Sequence, residues 1–339
     1  MTEQDLRLEE IKKWLSLFAE KYALQESTLS VASADASFRR YFRIGSKSGT
    51  TYIVMDAPPA HEAIAPYLKV QGLMQQAGVH VPVIFEKEEK AGFILMSDLG
   101  TKTYLDVLNA QNASDLMEQA VEELLLWQKA TQPNVLPPYD ETVLRRELSL
   151  FPEWYIAKHR GFTLSEKENK MLEKVFSSIV ENNLKEATVF VHRDYMPRNL
   201  MASTEGLPGV IDFQDALTGP VSYDIASLLR DAFLSWPEEF VIDITIRYWE
   251  KARKIGIPVP SDFGQFWRDV EWMGLQRHLK VLGIFARINY RDGKPKYLAD
   301  TPRFVNYVRR TANRYDELKP LNRILDLFEP IKTVEAVTF

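Results

Sequence analysis

"FVHRDYMPRNLM", Phe190–Met201, and "VIDFQDALTGP", Val210–Pro220, decide how the chain is read. The first places His192, Arg193 and Asp194 after an apolar run, then four residues, then Asn199. The second places Asp212 between Ile211 and Phe213. A lone Asp after a strand is ordinarily a turn residue or a helix cap. The combination argues otherwise. Two short apolar runs, "VFV" and "GVI", bracket a loop and form a hairpin-like platform that presents Asp194, Asn199 and Asp212 on one side. These residue types fit phosphoryl transfer. Magnesium takes oxygen ligands and often uses only one or two carboxylates, the rest coming from phosphate and water. Asp212 and Asn199 supply one charged and one neutral oxygen, which leaves Asp194 to accept a hydroxyl proton. His192 and Arg193 support the loop.

The rest of the chain allows this reading. At 339 residues, two lobes or domains are expected. Net charge is −5, so no general attraction to nucleic acid follows. Cysteine is absent, which excludes disulfides, thiolate catalysis and thiolate metal sites. The polar start "MTEQDLRLEE" is no signal peptide, and no apolar run reaches membrane-spanning length. A cytoplasmic protein without membrane contact is expected. No signature sets an oligomeric state.

Apolar residues at Leu8, Ile11, Leu15 and Phe18 predict a leading helix. "STLSVAS", "SFRRYFRI" and "TTYIVMDA" read as three antiparallel strands, and "VPVIFEKEEKAGFILMSDLG" as a hairpin. With "APYLKVQGLMQQAG" as a helix, this is a five-stranded sheet with one helix on it. Beyond Gly100 helices are expected over 113–129, 140–159, 165–182, 222–233, 238–255 and 262–288. The fold class is α+β and bilobal, with a small antiparallel-sheet lobe over 1–97 that grips nucleotide. A larger helical lobe over 98–339 carries the catalytic loop and substrate site.

"HRDYMPRN" followed by "IDF" resembles the catalytic loop and metal aspartate of the protein-kinase superfamily. "GPVSYDIASLLRD" narrows the resemblance to the aminoglycoside phosphotransferase-like small-molecule kinases. "DASFRRYFR", "VMDAPP", "SDLG", "ELSLFPEW" and "MGLQRHLKVLGIFARINYRDGKPKYL" narrow it further to the bacterial anomeric sugar kinases. The resemblance runs from about Asp35 to Phe328. It implies ATP and Mg2+ as cofactors, and transfer to the C1 hydroxyl of N-acetylmuramate or N-acetylglucosamine in cell-wall recycling. Asp194 is the implied catalytic base, and Asn199 and Asp212 the metal ligands. Candidate nucleotide contacts are Ser37, Phe38, Arg40, Met96, Asp98 and Arg198.

The chain departs from the kinase pattern in three places. "ASADASF" stands where a Gly-rich loop is expected, so backbone N–H groups of Asp35–Phe38 and the hydroxyls of Ser33 and Ser37 would have to meet phosphate. Asp56 stands about where the third strand usually carries Lys. Arg40, on the face of Phe38, Phe42 and Ile44, is then the phosphate-facing charge with Asp56 orienting it, or the two form a structural pair. Helical Glu62 is the weaker orienter. Finally, Met196 and Pro197 follow the catalytic loop Asp where the family favours His; Arg198 substitutes for it or packs the loop.

On the substrate side the candidates are Gln214, Asp215, Glu147, Arg277, Lys280 and Arg287. Arg277, Lys280, Arg287 and Arg291 fall near one face of a long amphipathic helix, a basic stripe suited to a sugar carboxylate. Phe151 and Trp154 suit a sugar ring or the core. Asp224, opening a helix, is structural and a possible partner of Arg193. Two other readings stand beside the sugar kinase. One is a kinase of another hydroxyl metabolite, such as an aminoglycoside or amino alcohol. The other is a catalytically inactive kinase-like binding module.

Overall fold

A computed structural model describes residues 3–33, 38–203, 206–231 and 233–329. They form a mixed α/β protein with an antiparallel N-terminal sheet and a helical C-terminal part, as expected. Two compact units result: Met1–Trp127 with Arg198–Ala216, and Gln128–Pro197 with Leu217–Phe339. The expected division after residue 97 falls inside the first unit, because the segment 198–216 pairs with the chain that follows the sheet.

In the first unit, helix α1 (Glu3–Ser16) precedes strands β1 (Leu24–Ser33), β2 (Arg40–Ser46) and β3 (Thr51–Asp56). Helix α2 (Ala65–Gln76) follows, then β4 (Ile84–Glu88) and β5 (Phe93–Ser97). The sheet order is β1-β2-β3-β5-β4, antiparallel throughout. Alternation sorts its side chains onto two faces. Phe42, Ile44, Val54, Phe93 and Leu95 pack against Ile11, Trp14 and Leu15 of α1. The leading helix is therefore a structural layer of the sheet. Gly92 turns the β4–β5 hairpin at φ +78°, and a Cβ there would lie 1.9 Å from the Ala57 carbonyl oxygen, so only glycine fits.

Helices α3 (Tyr104–Val107) and α4 (Ala113–Lys129) complete the run to the second unit. The second unit opens with α5 (Glu141–Leu150), capped by Asp140, whose side chain accepts from Val143 N. A π-helical segment, Phe151–His159, continues it. Pro152 cannot donate to the carbonyl of Leu148, and the turn widens there. α6 (Glu166–Leu184) starts with a Ser165/Glu168 capping box. Next come β6 (Thr188–Val191), then β7 (Leu200–Met201) and β8 (Gly209–Val210) of the first unit, then β9 (Leu217–Pro220). β6 pairs with β9 and β7 with β8, so "VFV" and "GVI" lie in two separate ribbons rather than one hairpin.

Helices α7 (Tyr223–Leu229), α8 (Glu238–Ile255) and α9 (Phe263–Asp292) follow, with α10 (Thr301–Arg314) and α11 (Lys319–Leu325) closing the unit. α9 is the spine. It approaches the end of α5 so closely that a Cβ on Gly283 would lie 2.4 Å from the Leu150 carbonyl. Among the described residues no helix is long and apolar enough to cross a membrane.

Candidate active site

In the first unit, Asp212 follows β8 with φ +63°, a left-handed conformation that Asp tolerates better than most residues. Ile211 N–H donates to the Asn199 carbonyl at 3.1 Å, which holds the two residues across the β7–β8 ribbon. Asn199 Nδ2 lies 3.5 Å from Asp212 Oδ2, and Gln214 Nε2 donates to Asp212 Oδ1 at 3.0 Å. Asp212 is exposed and Asn199 buried. Among the described residues no group of three or more His, Asp or Glu could hold a metal alone. One carboxylate beside one amide fits magnesium, which can draw its other oxygens from phosphate and water. Gln214, expected at the substrate, is instead hydrogen-bonded to Asp212; Asp215 is exposed beside it.

The ribbon is anchored twice. Ala202 N donates to the Lys102 carbonyl at 2.8 Å. Val210 N donates to the His80 carbonyl at 2.7 Å, while His80 Nδ1 meets the Leu207 carbonyl at 3.2 Å. Glu123 of α4 accepts from His80 N, and burial pushes its carboxyl up to about 7.

Which arginine lies on the Asp212 side of the sheet differs from the expectation. Arg40 Nε donates to Asp56 Oδ2 at 2.9 Å, and Arg7 Nε to Asp56 Oδ1 at 2.9 Å. Asp56 is fully buried between them, on the face covered by α1. Arg40 is thus committed to a structural pair. The opposite face carries Tyr41, next to Arg39. Burial pushes the Tyr41 hydroxyl up to about 12, against Arg39 and with the carboxylate of Asp212 adding to the rise. Tyr67 of α2 lies against Phe213, ring centroids 4.8 Å apart, and reaches Met96 Sδ at 3.3 Å. Arg39 Nε stands 2.5 Å from Glu62 Oε2, a buried oxygen whose charge is met by this ion pair. Glu62 is not helical; it lies in the loop before α2. The period-2 pattern of "FRRYFR" held this signal, since it puts Arg39, Tyr41 and Arg43 together.

Arg43 binds the Asp98 carboxylate at 2.5 and 3.0 Å, and Gly100 N–H adds 3.0 Å. Burial pushes Asp98 up, but these bonds outweigh it and hold it below the usual range. Phe38 is exposed and stacks on His61 at 4.3 Å. Arg198 is half-buried in a short 3-10 turn, Pro197–Asn199. Ser37 and the hydroxyl of Ser33 lie outside the described residues.

In the second unit, Asp224 at the start of α7 accepts from His192 N at 2.7 Å and Arg193 N at 3.0 Å. Those bonds hold Arg193 at φ +77°, where a non-glycine backbone is strained. Asp224 therefore meets Arg193 through its amide, while the guanidinium goes to Glu147 Oε1 at 2.7 Å. Lys280 Nζ reaches the same oxygen at 2.9 Å, and the Tyr139 hydroxyl donates to Oε2. Burial pushes Glu147 up, but Lys280 and Arg193 override it and hold it at about 2. Asp194 is also lowered: burial opposes ionisation, and Lys280, Arg277, His192 and Arg193 together outweigh it.

The expected basic stripe is corrected. Arg277, which is buried, and Lys280, which is half-buried, are counter-ions; Arg277 donates to the Arg193 carbonyl at 2.6 Å and lies over the Tyr223 ring. Arg291 is exposed and paired with Asp292. Arg287 is half-buried and, among the described residues, is in no ion pair; its Nε, like that of Arg277, is unpartnered. Phe151 is core, stacked on Tyr155 at 5.7 Å, and Trp154 is half-buried. Sequence reading did not single out Tyr139, Tyr223, Arg39 or His80; only Arg39 left a readable pattern.

Residues 28–257 match the profile described as the phosphotransferase enzyme family. An N-acetylmuramate/N-acetylglucosamine kinase from Pseudomonas aeruginosa is 49% identical over 328 residues, 95% of this chain and 96% of that protein. One from Neisseria meningitidis serogroup B is 48% identical over 319 residues, 93% of this chain and 94% of its own. Among solved structures, amicoumacin kinase in complex with AMP-PNP, Ca2+ and Ami superposes with a TM-score of 0.61 at 15% identity. That match covers 89% of this chain and 94% of the other, a likeness of fold.

Proposed function

The chain belongs to the phosphotransferase enzyme family and is a kinase with an alcohol acceptor; from that premise we propose which donor, metal and acceptor it uses. The donor is ATP, with Mg2+. The acceptor is the C1 hydroxyl of N-acetylmuramate or N-acetylglucosamine, and the reaction serves cell-wall recycling in the cytoplasm. The observation that carries this reading is the Asp194 loop: a carboxylate kept ionised by Lys280 and Arg277, on a backbone pinned by Asp224. The names of relatives near 48% identity support the acceptor.

Asp194 accepts the proton of the C1 hydroxyl as that oxygen bonds to the γ-phosphorus and the bridging bond to ADP breaks. A carboxylate held low is a weak base. It suffices because a hemiacetal hydroxyl is more acidic than an ordinary alcohol, and the transition state is loose, with proton loss late. Asn199 and Asp212 would hold the metal, which supplies charge neutralisation on the phosphate oxygens when bound. Arg39, oriented by Glu62 on the Asp212 side of the sheet, takes the phosphate-facing role first expected of Arg40. Met96 and Asp98 remain candidate nucleotide contacts.

The test is product identity. Incubation with ATP, magnesium and each sugar, followed by phosphorus NMR, should give a sugar 1-phosphate with loss of the reducing end. A 6-phosphate would overturn the anomeric assignment. Turnover of neither sugar, beside turnover of an amino alcohol or aminoglycoside, would overturn the acceptor class.

A further inference from the structure

Four cations of α9 were candidates for reading an anionic substituent, and the structure removes three. Arg277 is spent on the Arg193 carbonyl, Lys280 on Glu147, and Arg291 on Asp292. Arg287 differs. Its Nε, like that of Arg277, is buried without a hydrogen-bond partner, but among the described residues the rest of the Arg287 guanidinium is in no hydrogen bond or ion pair either, whereas Arg277 donates to the Arg193 carbonyl. The other charges acting on it are Arg291, which is repulsive, and Asp292, which Arg291 already holds. Half-burying a cation is costly unless something compensates it. The described residues provide no such partner.

Its position says what the partner is. Arg287 lies seven residues after Lys280, which on a helix returns the side chain to within ~20° of the same direction, roughly 10 Å further along. Lys280 is the cation that does most to keep Asp194 ionised. Arg287 therefore lies on the face of α9 that carries Lys280, two turns further along the helix. An acceptor whose C1 hydroxyl meets Asp194 would extend its other substituents along that face.

We propose that Arg287 is the specificity-determining residue that binds the carboxylate of an acidic sugar acceptor, the lactyl ether carboxylate on C3 of N-acetylmuramate. This rests on the sugar-kinase reading above. N-acetylglucosamine lacks that carboxylate and leaves Arg287 unsatisfied. The two sugars thus share the base and differ at one cation.

The experiment compares kcat/KM for the two sugars in the parent enzyme and in Arg287→Ala, Arg287→Lys and Arg291→Ala, each checked for its melting temperature. A charge-assisted hydrogen bond is worth ~1.5–3 kcal/mol, so in Arg287→Ala the N-acetylmuramate to N-acetylglucosamine ratio should fall by roughly tenfold or more. The change should lie mainly in KM for N-acetylmuramate. Arg287→Lys should recover part of the ratio, and Arg291→Ala should keep it. An unchanged ratio in Arg287→Ala, or an equal loss for both sugars, overturns the assignment while the sugar-kinase reading stands. A parent enzyme that turns over neither sugar overturns both.

Discussion

Replacing Asp224 by alanine separates holding the catalytic loop from merely filling space. The carboxylate accepts from two backbone donors, His192 N at 2.7 Å and Arg193 N at 3.0 Å, and the residue is fully buried. In the alanine variant both donors lose their acceptor. Each buried unsatisfied donor costs ~1–3 kcal/mol, so about 2–6 kcal/mol is at stake. Part returns, because burial pushes the Asp224 carboxyl above its ordinary value and its removal relieves that cost. A net loss of about 2–4 kcal/mol corresponds to a Tm drop of roughly 4–16 °C. The larger effect is local. A left-handed Arg193 costs ~1–2 kcal/mol, so a loop freed from Asp224 relaxes and carries Asp194 with it. Displacement of a reacting group by about 1 Å can lower turnover ~100-fold. The assay pairs thermal melting with steady-state kinetics at a temperature where the variant is folded. Turnover within about threefold of the parent, despite the lower Tm, would refute the loop-holding role.

Three other outcomes follow from the same geometry. Asp194→Asn removes the proton acceptor, and general-base contributions of ~100- to 10,000-fold set the expected loss in kcat; a near-parental rate would remove Asp194 from the chemistry. Arg39→Ala should raise the KM for ATP or lower turnover, whereas Arg40→Ala, which strands buried Asp56, should chiefly lower Tm; the reverse pattern would restore Arg40 to the nucleotide. Glu186 accepts from Ser222 and is pushed up to about 8, by burial first and Asp269 second. Because its folded value lies above the ordinary 4.5, its contribution to stability is greatest at low pH and is lost as pH rises through about 8. Glu186→Gln should therefore gain in Tm over the parent between pH 5 and pH 9, as read by scanning calorimetry across that range. A constant difference would mean that Glu186 does not titrate there.

Long periodic elements were legible in the sequence: the expected helices over 113–129 and 238–255 have the observed bounds of α4 and α8. The five strands of the sheet were equally plain, since alternation and turn residues mark each locally. What failed was long-range. "LTGP" has no strand signal, yet it is the partner of "VFV", because backbone pairing depends on what lies alongside rather than on its own composition. The π-helical widening at Pro152 was folded into one expected helix, since period 3.6 does not register one wider turn. At the site, residue types announced Asp194, Asn199 and Asp212. Commitment did not: a helical wheel gives direction, but whether Lys280 meets solvent or Glu147 depends on a partner 133 positions away in the chain.

The clamp on Asp56 also bears on the order of synthesis. Arg7 leaves the ribosome before both of its acceptors, Asp56, 49 residues later, and the Ala91 carbonyl, 84 residues later. At ~5–20 residues per second, the second acceptor follows by roughly 4–17 s. A helix of 14 residues is marginal in water on its own. α1 thus waits as an undocked, partly apolar segment until the β4–β5 hairpin emerges, and the sheet, once paired, recruits it. A nascent chain ending before Ala91 lacks that carbonyl, so such a fragment should leave α1 open to protease while the longer one protects it.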